Sequence, residues 1–321
     1  MMRAISTPSR RLAIGDAYNF LMKELEKVDE KILEPLSSTL WPRDMPVITG
    51  GGLLESVSSI DVTYASTGRE EDNLIGDEAN DIPVIQADFS KSVANCYNFA
   101  EYISISLLEK EKMYGIGKDP EIFLNKGIHL HFDKYCDQNV YHGFDKVGTT
   151  GLVNNSGIAR ISAGTAAGGG TRWSLKTADE ILTDINTLIS SLWKDNDCEL
   201  DALPNQILVP VEQFGSLVTR KVSSDGYMSI LEYVLKNNLS AQQGVDLKIY
   251  PCKYNSRVGS SHSDRMVAYC NREDRICYNL TQPLRRLENE RAEMRIKIPY
   301  IGQFSEVRFL YPSLVRYMDG I

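Results

Sequence analysis

Apolar and polar positions alternate with two different periods along this chain, and the period changes mark its elements. From about Gly15 to Leu33 the apolar residues Tyr18, Leu21, Leu25, Val28 and Ile32 recur at spacings of 3, 4, 3 and 4. That spacing predicts a helix with one apolar stripe, turned either to a core or to another subunit. The next stretch, EPLSSTLWPRDMPVITGGG, breaks the period with three prolines and a glycine triplet and reads as an extended connector. In SIDVTYAST the period drops to two, with Ile60, Val62 and Tyr64 set against polar neighbours, and a second alternating run extends from Val84 to Ile103. The two runs predict a long hairpin.

Helical spacing then returns. One helix is predicted over about Ile105 to Tyr114. A second begins at Asp119, a capping residue followed by proline at the first helical position, and stops at Gly143 after His142. At 1.5 Å per residue this second helix is a rod of roughly 35 Å. Gly127 inside it costs about 1 kcal/mol relative to alanine. A helix over Thr177 to Lys194 carries Ile181, Ile185, Leu188 and Leu192 on one stripe. After it, strand and helix patterns alternate: NQILVPV, VEQFGSLVTRKV, SILEYVLKNN, VDLKIYPC, DRMVAYCN and RICYNLTQP. The block 175–284 therefore reads as an α/β unit, and the remainder is β-rich.

Composition narrows the classes. The chain has 321 residues, 42% of them hydrophobic, enough for a sizeable core and about two domains. Its formal net charge of −8 argues against a dedicated nucleic-acid binder. Six scattered cysteines without a C-x-x-C pair read as reduced thiols, not a disulfide framework. No apolar run approaches the roughly 20 residues of a membrane span, and the basic start lacks the apolar segment of a secretory signal. A cytoplasmic site of synthesis is expected.

Candidate chemistry is sparse. GTAAGGGT, Gly164–Thr171, spells a phosphate-binding loop except that Gly170 stands where lysine is required. Without that ammonium the loop cannot meet the β and γ phosphates, and a flexible joint between two domains is the expected reading. His129, His131, Cys136 and His142 share one helix, but positions two apart point to different faces, so no metal site is expected. His262 in GSSHSDR has serine and aspartate neighbours but no nucleophile elbow. The loop GREEDNLIGDEAND, 68–81, is too long and too acidic for a plain turn, yet lacks the calcium-loop pattern. No catalytic residue, metal or cofactor is expected.

The order of parts carries a resemblance. An extended arm, a long polar-tipped hairpin, a rod helix, an α/β block and a β return resemble the major capsid proteins of tailed bacteriophages, with the Hong Kong 97-like fold. The run AEYISISLLEKEKMYGIGKDPEIFLNKGIHLHFDKYCDQNVYHG followed by GLVNN (Gly151–Asn155), and the close IPYIGQFSEVRFLYPSLVRYMDGI, are similar to one branch of that family. The resemblance covers about 50–321 and implies an α+β fold. Within it, 1–59 is an N-terminal arm and 60–92 an extended loop. Residues 93–174 with 285–321 make a peripheral domain with spine helix 119–142, and 175–284 an axial domain.

The implied function is a shell protein forming the pentamers and hexamers of an icosahedral head around double-stranded DNA, held without sequence-specific binding. Its implied place is the virion, after assembly in the host bacterial cytoplasm, with no membrane. The arm is too short for a fused, cleavable scaffolding segment, which implies a separate scaffolding protein, besides a portal and, optionally, a decoration protein. Charge suggests one contact between copies: Arg69, Glu70, Glu71, Asp72, Asp77 and Glu78 at the loop tip against Arg285, Arg286, Arg291 and Arg295, with Lys297 beside them. Two other classes stand beside this one. One is an encapsulin-type compartment shell; the other is a cytosolic α/β enzyme with its pocket in 175–284.

Overall fold

The computed structural model describes residues 39–67, 83–115, 117–223 and 226–321. The helix expected over 15–33 and the acidic tip 68–81 lie outside the described residues. Residues Leu40–Ile321 form one compact unit. In chain order its first elements are α1 (Trp41–Asp44), β1 (Val47–Thr49), β2 (Ser56–Ser66), β3 (Ile85–Ser106), α2 (Leu107–Gly115) and α3 (Pro120–His142). Next come β4 (Arg160–Ser162), α4 (Ala178–Lys194), β5 (Gln206–Val209), α5 (Val211–Thr219), α6 (Ile230–Asn237), α7 (Leu239–Gln242) and β6 (Lys248–Pro251). The last part holds β7 (Arg265–Tyr269), β8 (Ile276–Leu280), β9 (Gln282–Arg286), β10 (Glu290–Ala292), β11 (Arg295–Ser305), β12 (Val307–Phe309) and β13 (Val315–Asp319).

The rod helix forms where its sequence signals place it. Asp119 Oδ1 accepts from the Glu121 N–H at 2.9 Å, and Pro120 opens the first turn. Gly143 ends it at φ 69°, and its N–H donates to the Asn139 carbonyl at 2.9 Å. A side chain there would bring Cβ to 2.4 Å from the Thr149 carbonyl oxygen, so glycine is required twice over. The buried face of α3, with Phe132, Cys136 and Val140, packs on Phe99, Phe304 and Tyr278. Phe99 meets Phe132 edge-on at 5.1 Å. The preceding helix starts at Leu107, two residues later than expected. Ile103 and Ile105 alternate into a small core with Ile296 and Ile298, which keeps β3 extended through Ser106.

The α/β block is built on a five-stranded sheet in the order β4-β13-β7-β5-β6. Its two faces serve two cores, and the period of two assigns them. Leu208, Val267, Tyr269, Val315 and Tyr317 point to the core shared with α3. Ile207, Val209, Met266, Ala268 and Met318 point to the core shared with α4, α5 and α6. The C-terminal strand β13, grouped by sequence with the peripheral part, thus lies in the middle of the α/β sheet, between β4 and β7. Conversely, β8, grouped with 175–284, pairs with β1 and β12 outside that sheet. Chain order alone does not carry these long-range pairings.

The stretch read as an extended connector also holds core. Trp41 and Met45 are buried. Asp44, fully buried, accepts from the Tyr141 hydroxyl at 2.5 Å, from Gln206 Nε2 at 2.9 Å and from both forks of Arg43. The Asp44 carbonyl accepts from the Tyr269 hydroxyl at 2.5 Å. This plug ties α3 to the five-stranded sheet, so Trp41, Asp44 and Met45, which the sequence assigns to an arm ending at 59, are core residues.

The glycine stretch is tied down where a free joint was expected. Gly164 N–H donates to Asp184 Oδ1 at 3.0 Å and Ala167 N–H to Glu180 Oε1 at 2.7 Å. Ala163 N–H donates to the Asp319 carbonyl, and Ala166 N–H to the Gly170 carbonyl. Asp184 also accepts from Trp173 Nε1 at 2.9 Å and from the buried Lys176 ammonium.

Candidate functional site

The hairpin β2–β3 has the geometry that most needs explanation. Its register is unbroken from Ser56↔Asn95 to Ser66↔Ile85. Residues directly opposite in an antiparallel pair share a face. One face therefore holds Ile60, Val62 and Tyr64 of β2 with Ile85, Phe89 and Val93 of β3, around a single lysine, Lys91. The other holds Ser59, Asp61 and Thr63 with Ser92, Ser90 and Asp88. The apolar face is open: Tyr64 is 76% exposed, Ile85 74% and Phe89 72%. A two-stranded ribbon is marginal by itself in water, and this one leaves its hydrophobic side uncovered among the described residues. Along β3 the same face continues inward to Phe99, Ile103 and Ile105, which are buried. The proximal half of one strand face is covered by α3 and the distal half is bare.

Ile60, Val62 and Tyr64 stand out in the sequence as an alternating strand. Their partners Ile85, Phe89 and Val93 are missed as a site. The signal for them was present, because the odd positions from 85 to 93 are apolar apart from Lys91.

The charged residues expected at a contact between copies divide sharply. Arg69, Glu70, Glu71, Asp72, Asp77 and Glu78 lie outside the described residues. The basic set does not form one cluster. Across β11, the register puts Arg285, Arg295 and Lys297 on the face of Tyr102, away from α3. It puts Arg286 and Arg291 on the opposite face, toward α3. Arg286 is already engaged within the chain, 2.7 Å from Glu121 Oε1 and 2.9 Å from Asn289 Oδ1. Arg295 Nη1 donates to Ser104 Oγ at 3.3 Å, and Lys297 sits 5.5 Å from the Tyr102 ring centre. Sequence proximity in RRLENERAEMRIK hides this division, since neighbours in a strand face opposite ways.

The remaining candidate groups are committed to structure. Burial pushes the thiols of Cys136 and Cys252 up to about 12 and that of Cys270 up to about 11, far from a reactive thiolate. His131 Nδ1 pairs with Glu101 Oε2 at 2.8 Å. Burial pulls His142 below its ordinary value, against the opposing pull of Asp145. Among the described residues no three His, Cys, Asp or Glu side chains are grouped to hold a metal ion, and no helix is long and apolar enough to cross a membrane. In the α/β block a notch of about 360 Å³ is lined by Asn205, Gln206, Val245, Asp246, Lys248 and Asn271. Its amides serve the fold: Asn271 Nδ2 donates to Gln206 Oε1 at 2.6 Å, and Gln206 Nε2 to Asp44. In the loop-like GTAAGGGT, internal carboxylates occupy the N–H groups of Gly164 and Ala167 that a phosphate would need.

Comparison with known proteins matches this architecture to shells. The capsid of Myoviridae phage XM1 superposes with a TM-score of 0.76 at 15% identity, over 92% of this chain and 97% of that one. The capsid of the empty GTA particle gives 0.60 at 10% identity, over 94% and 97%. A virus-like particle from Pyrococcus furiosus gives 0.51 at 11% identity, over 88% and 92%. No curated protein matches the sequence. The α+β, Hong Kong 97-like fold expected from the order of parts is the fold observed. The family model for the major capsid protein matches residues 71–321, most of the chain, and this chain accordingly belongs to the major capsid protein family of tailed phages.

Proposed function

We propose that this chain builds a closed icosahedral shell of pentamers and hexamers around double-stranded DNA, and that β2–β3 is the element by which each copy holds its neighbour. The carrying observation is the bare apolar face of the ribbon. Ile60, Val62, Tyr64, Ile85, Phe89 and Val93 are between 41% and 76% exposed. Covering such side chains contributes roughly 1–2 kcal/mol each. A contact of that size, repeated at every copy, suits an assembly made of weak, identical links. In this reading 60–92 is the extended loop and the residues before Leu40 the arm. The α3 region with the ribbon root is the peripheral part, and the layer of α4 to α7 the axial part.

The acidic tip then reaches the basic rim of another copy through Arg285, Arg295 and Lys297, the three that share a face. Exposed pairs contribute about 0–1 kcal/mol each, so this contact selects register more than it adds strength. A separate scaffolding protein, a portal and a decoration protein are further partners within the same reading. The phage head is favoured over a cargo compartment, because the family matched is that of phage capsids.

Phe89→Asp tests the ribbon. The side chain is exposed, so the subunit keeps its circular dichroism and melting temperature, while sedimentation finds no shells. Asp61→Lys, on the polar face, is the control and assembles. Normal shells from Phe89→Asp would remove the basis of the proposal.

A further inference from the structure

The strand β3 changes partner abruptly along its length. Cys96 is its last residue opposite β11, facing Ser305, and Asn95 its first opposite β2, facing Ser56. The two pairings do not overlap. At this neck the ribbon is joined to the body through the backbone of β3, with a 3.3 Å bond from the Asn95 N–H to Glu306 Oε1 beside it. One extended strand without a ladder across it bends and twists readily, so the direction of the ribbon needs a second attachment.

That attachment is the strap 50–55, which leads from β1 into β2. The N–H groups of Gly50 and Gly52 donate to the carbonyls of Leu280 and Thr281, both at 3.2 Å. Gly50, Gly51 and Gly52 have φ of 107°, 107° and 78°, a bend open to glycine and strained for any other residue. The bend brings Leu54 onto Gln303 of β11. Gln303 Oε1 accepts from the Leu54 N–H and from the Thr281 hydroxyl, each at 2.8 Å. Its Nε2 donates to the Leu54 carbonyl at 2.7 Å and to Asn98 Oδ1 at 2.8 Å. A glutamine amide offers two acceptor positions and two donors, and all four are used. Both backbone groups of Leu54 are thus held by one side chain. Gln303 and Thr281 are each 3% exposed, so water competes little for these bonds. Gln303 stands opposite Asn98 across β11 and β3. The amide therefore ties the strap to the pair of strands from which the ribbon springs. The next residue, Glu55, accepts from the Cys96 N–H at 3.0 Å and starts β2 along β3.

We infer that Gln303 is the positioning residue of the ribbon: its amide clamps the strap to β3 and β11, and this second anchor beside the neck fixes the angle at which β2–β3 leaves the body. Two anchors side by side resist a swing that one strand allows. A buried amide is costly unless it is paired, and here every pair it makes joins the strap, β3 or the turn after β8 to β11. The glycine triplet, read from sequence as part of a connector, supplies the bend that carries Leu54 to the clamp. The consequence for assembly rests on the proposed role of the ribbon. A ribbon held at one angle in every copy has less freedom to lose when it makes a contact.

Pulsed electron spin resonance on the unassembled subunit tests the clamp without shells. Thr63→Cys, on the polar face of the ribbon, carries one spin label, and the exposed native Cys198 of the α/β block carries the other. Cys96→Ser removes the half-buried thiol beside the neck. With Gln303 in place the distance between labels is one narrow distribution. Gln303→Leu and Gln303→Glu each widen it about twofold or more, with circular dichroism unchanged. Ionised glutamate keeps the shape and the acceptors of glutamine and loses its donors, so widening in both variants assigns the hold to bonding and not to packing. A distribution already wide with Gln303 present, or narrow in both variants, overturns the inference. Should neither variant fold, the wild-type Leu54 amide decides: slow hydrogen exchange in the subunit supports the clamp and free exchange overturns it. Shell yield is scored separately. If the distribution widens and shells form in normal yield, the clamp stands and the ribbon's role in assembly falls. If the distribution stays narrow while Phe89→Asp blocks assembly, the clamp is wrong and that role survives.

Discussion

Replacing Asp184 by alanine would strip the α/β block of a buried carboxylate that three donors share. The carboxylate is the hub of the 163–176 segment. One oxygen accepts from the Gly164 N–H at 3.0 Å, and the other from Trp173 Nε1 at 2.9 Å and from the Lys176 ammonium. The side chains of Lys176 and Asp184 are 1% and 5% exposed. Alanine leaves a buried ammonium without its counter-charge and two N–H donors without an acceptor. Breaking a buried pair from one side costs about 3–5 kcal/mol, and the orphaned donors fall within that figure rather than adding to it in full. Against a whole stability of about 5–15 kcal/mol, the loss is about a fifth or more. Urea unfolding followed by tryptophan fluorescence reads it. At an m-value of about 3 kcal/mol/M, the midpoint falls by about 1–1.7 M. The double substitution Lys176→Met with Asp184→Leu removes both charges and recovers most of the loss, since a hydrophobic replacement of a buried pair is often neutral. A midpoint drop below about 0.3 M for Asp184→Ala would refute the reasoning, as would a double variant no better than the single one.

Three further outcomes follow from the same geometry. Burial holds His142 below its ordinary 6.5 in the folded chain, so on acidification the unfolded chain takes up the proton first; stability falls as pH drops through 6.5 and levels off below the folded value. Replacing His142 with glutamine should flatten the melting temperature between pH 7 and 5, and an unchanged slope would show that other groups set it. At Gly151 an added Cβ would lie 2.2 Å from the Tyr141 carbonyl carbon, so Gly151→Ala should cost at least about 3 kcal/mol by denaturant titration or leave no folded protein. Gly127→Ala meets nothing within 4 Å and should raise the subunit's stability by about 0.5–1 kcal/mol; a loss there would mean the helix is already crowded.

The elements with strong local signals were legible in the sequence, and the pairings between distant ones were not. Asp119, Pro120 and Gly143 bound α3 in sequence and in space, because caps act within a few residues. The ribbon was legible from alternation, and its partner strand face could have been. By contrast, Trp41 and Met45 sit among prolines with no period to betray a plug, and only their contacts with α3 and the five-stranded sheet make them core. The placement of β13 between β4 and β7 depends on contacts more than 40 residues apart, which no local pattern encodes. Arg286 and Arg291 look equivalent to Arg285 and Arg295 until strand register sends them to opposite faces. Asp184 left a readable trace: an acid at the fourth position of Ile181-x-x-Asp184-Ile185, on a stripe otherwise apolar. Such a residue is paired or it is costly, and Lys176 is the pair.

The most direct test of the central claim is electron microscopy of the purified chain together with its mass by light scattering, with scaffold co-expressed where shells do not form alone. A shell protein gives closed particles, or rings of five and six. A single small oligomer that persists at high concentration, with scaffold present, would contradict the account.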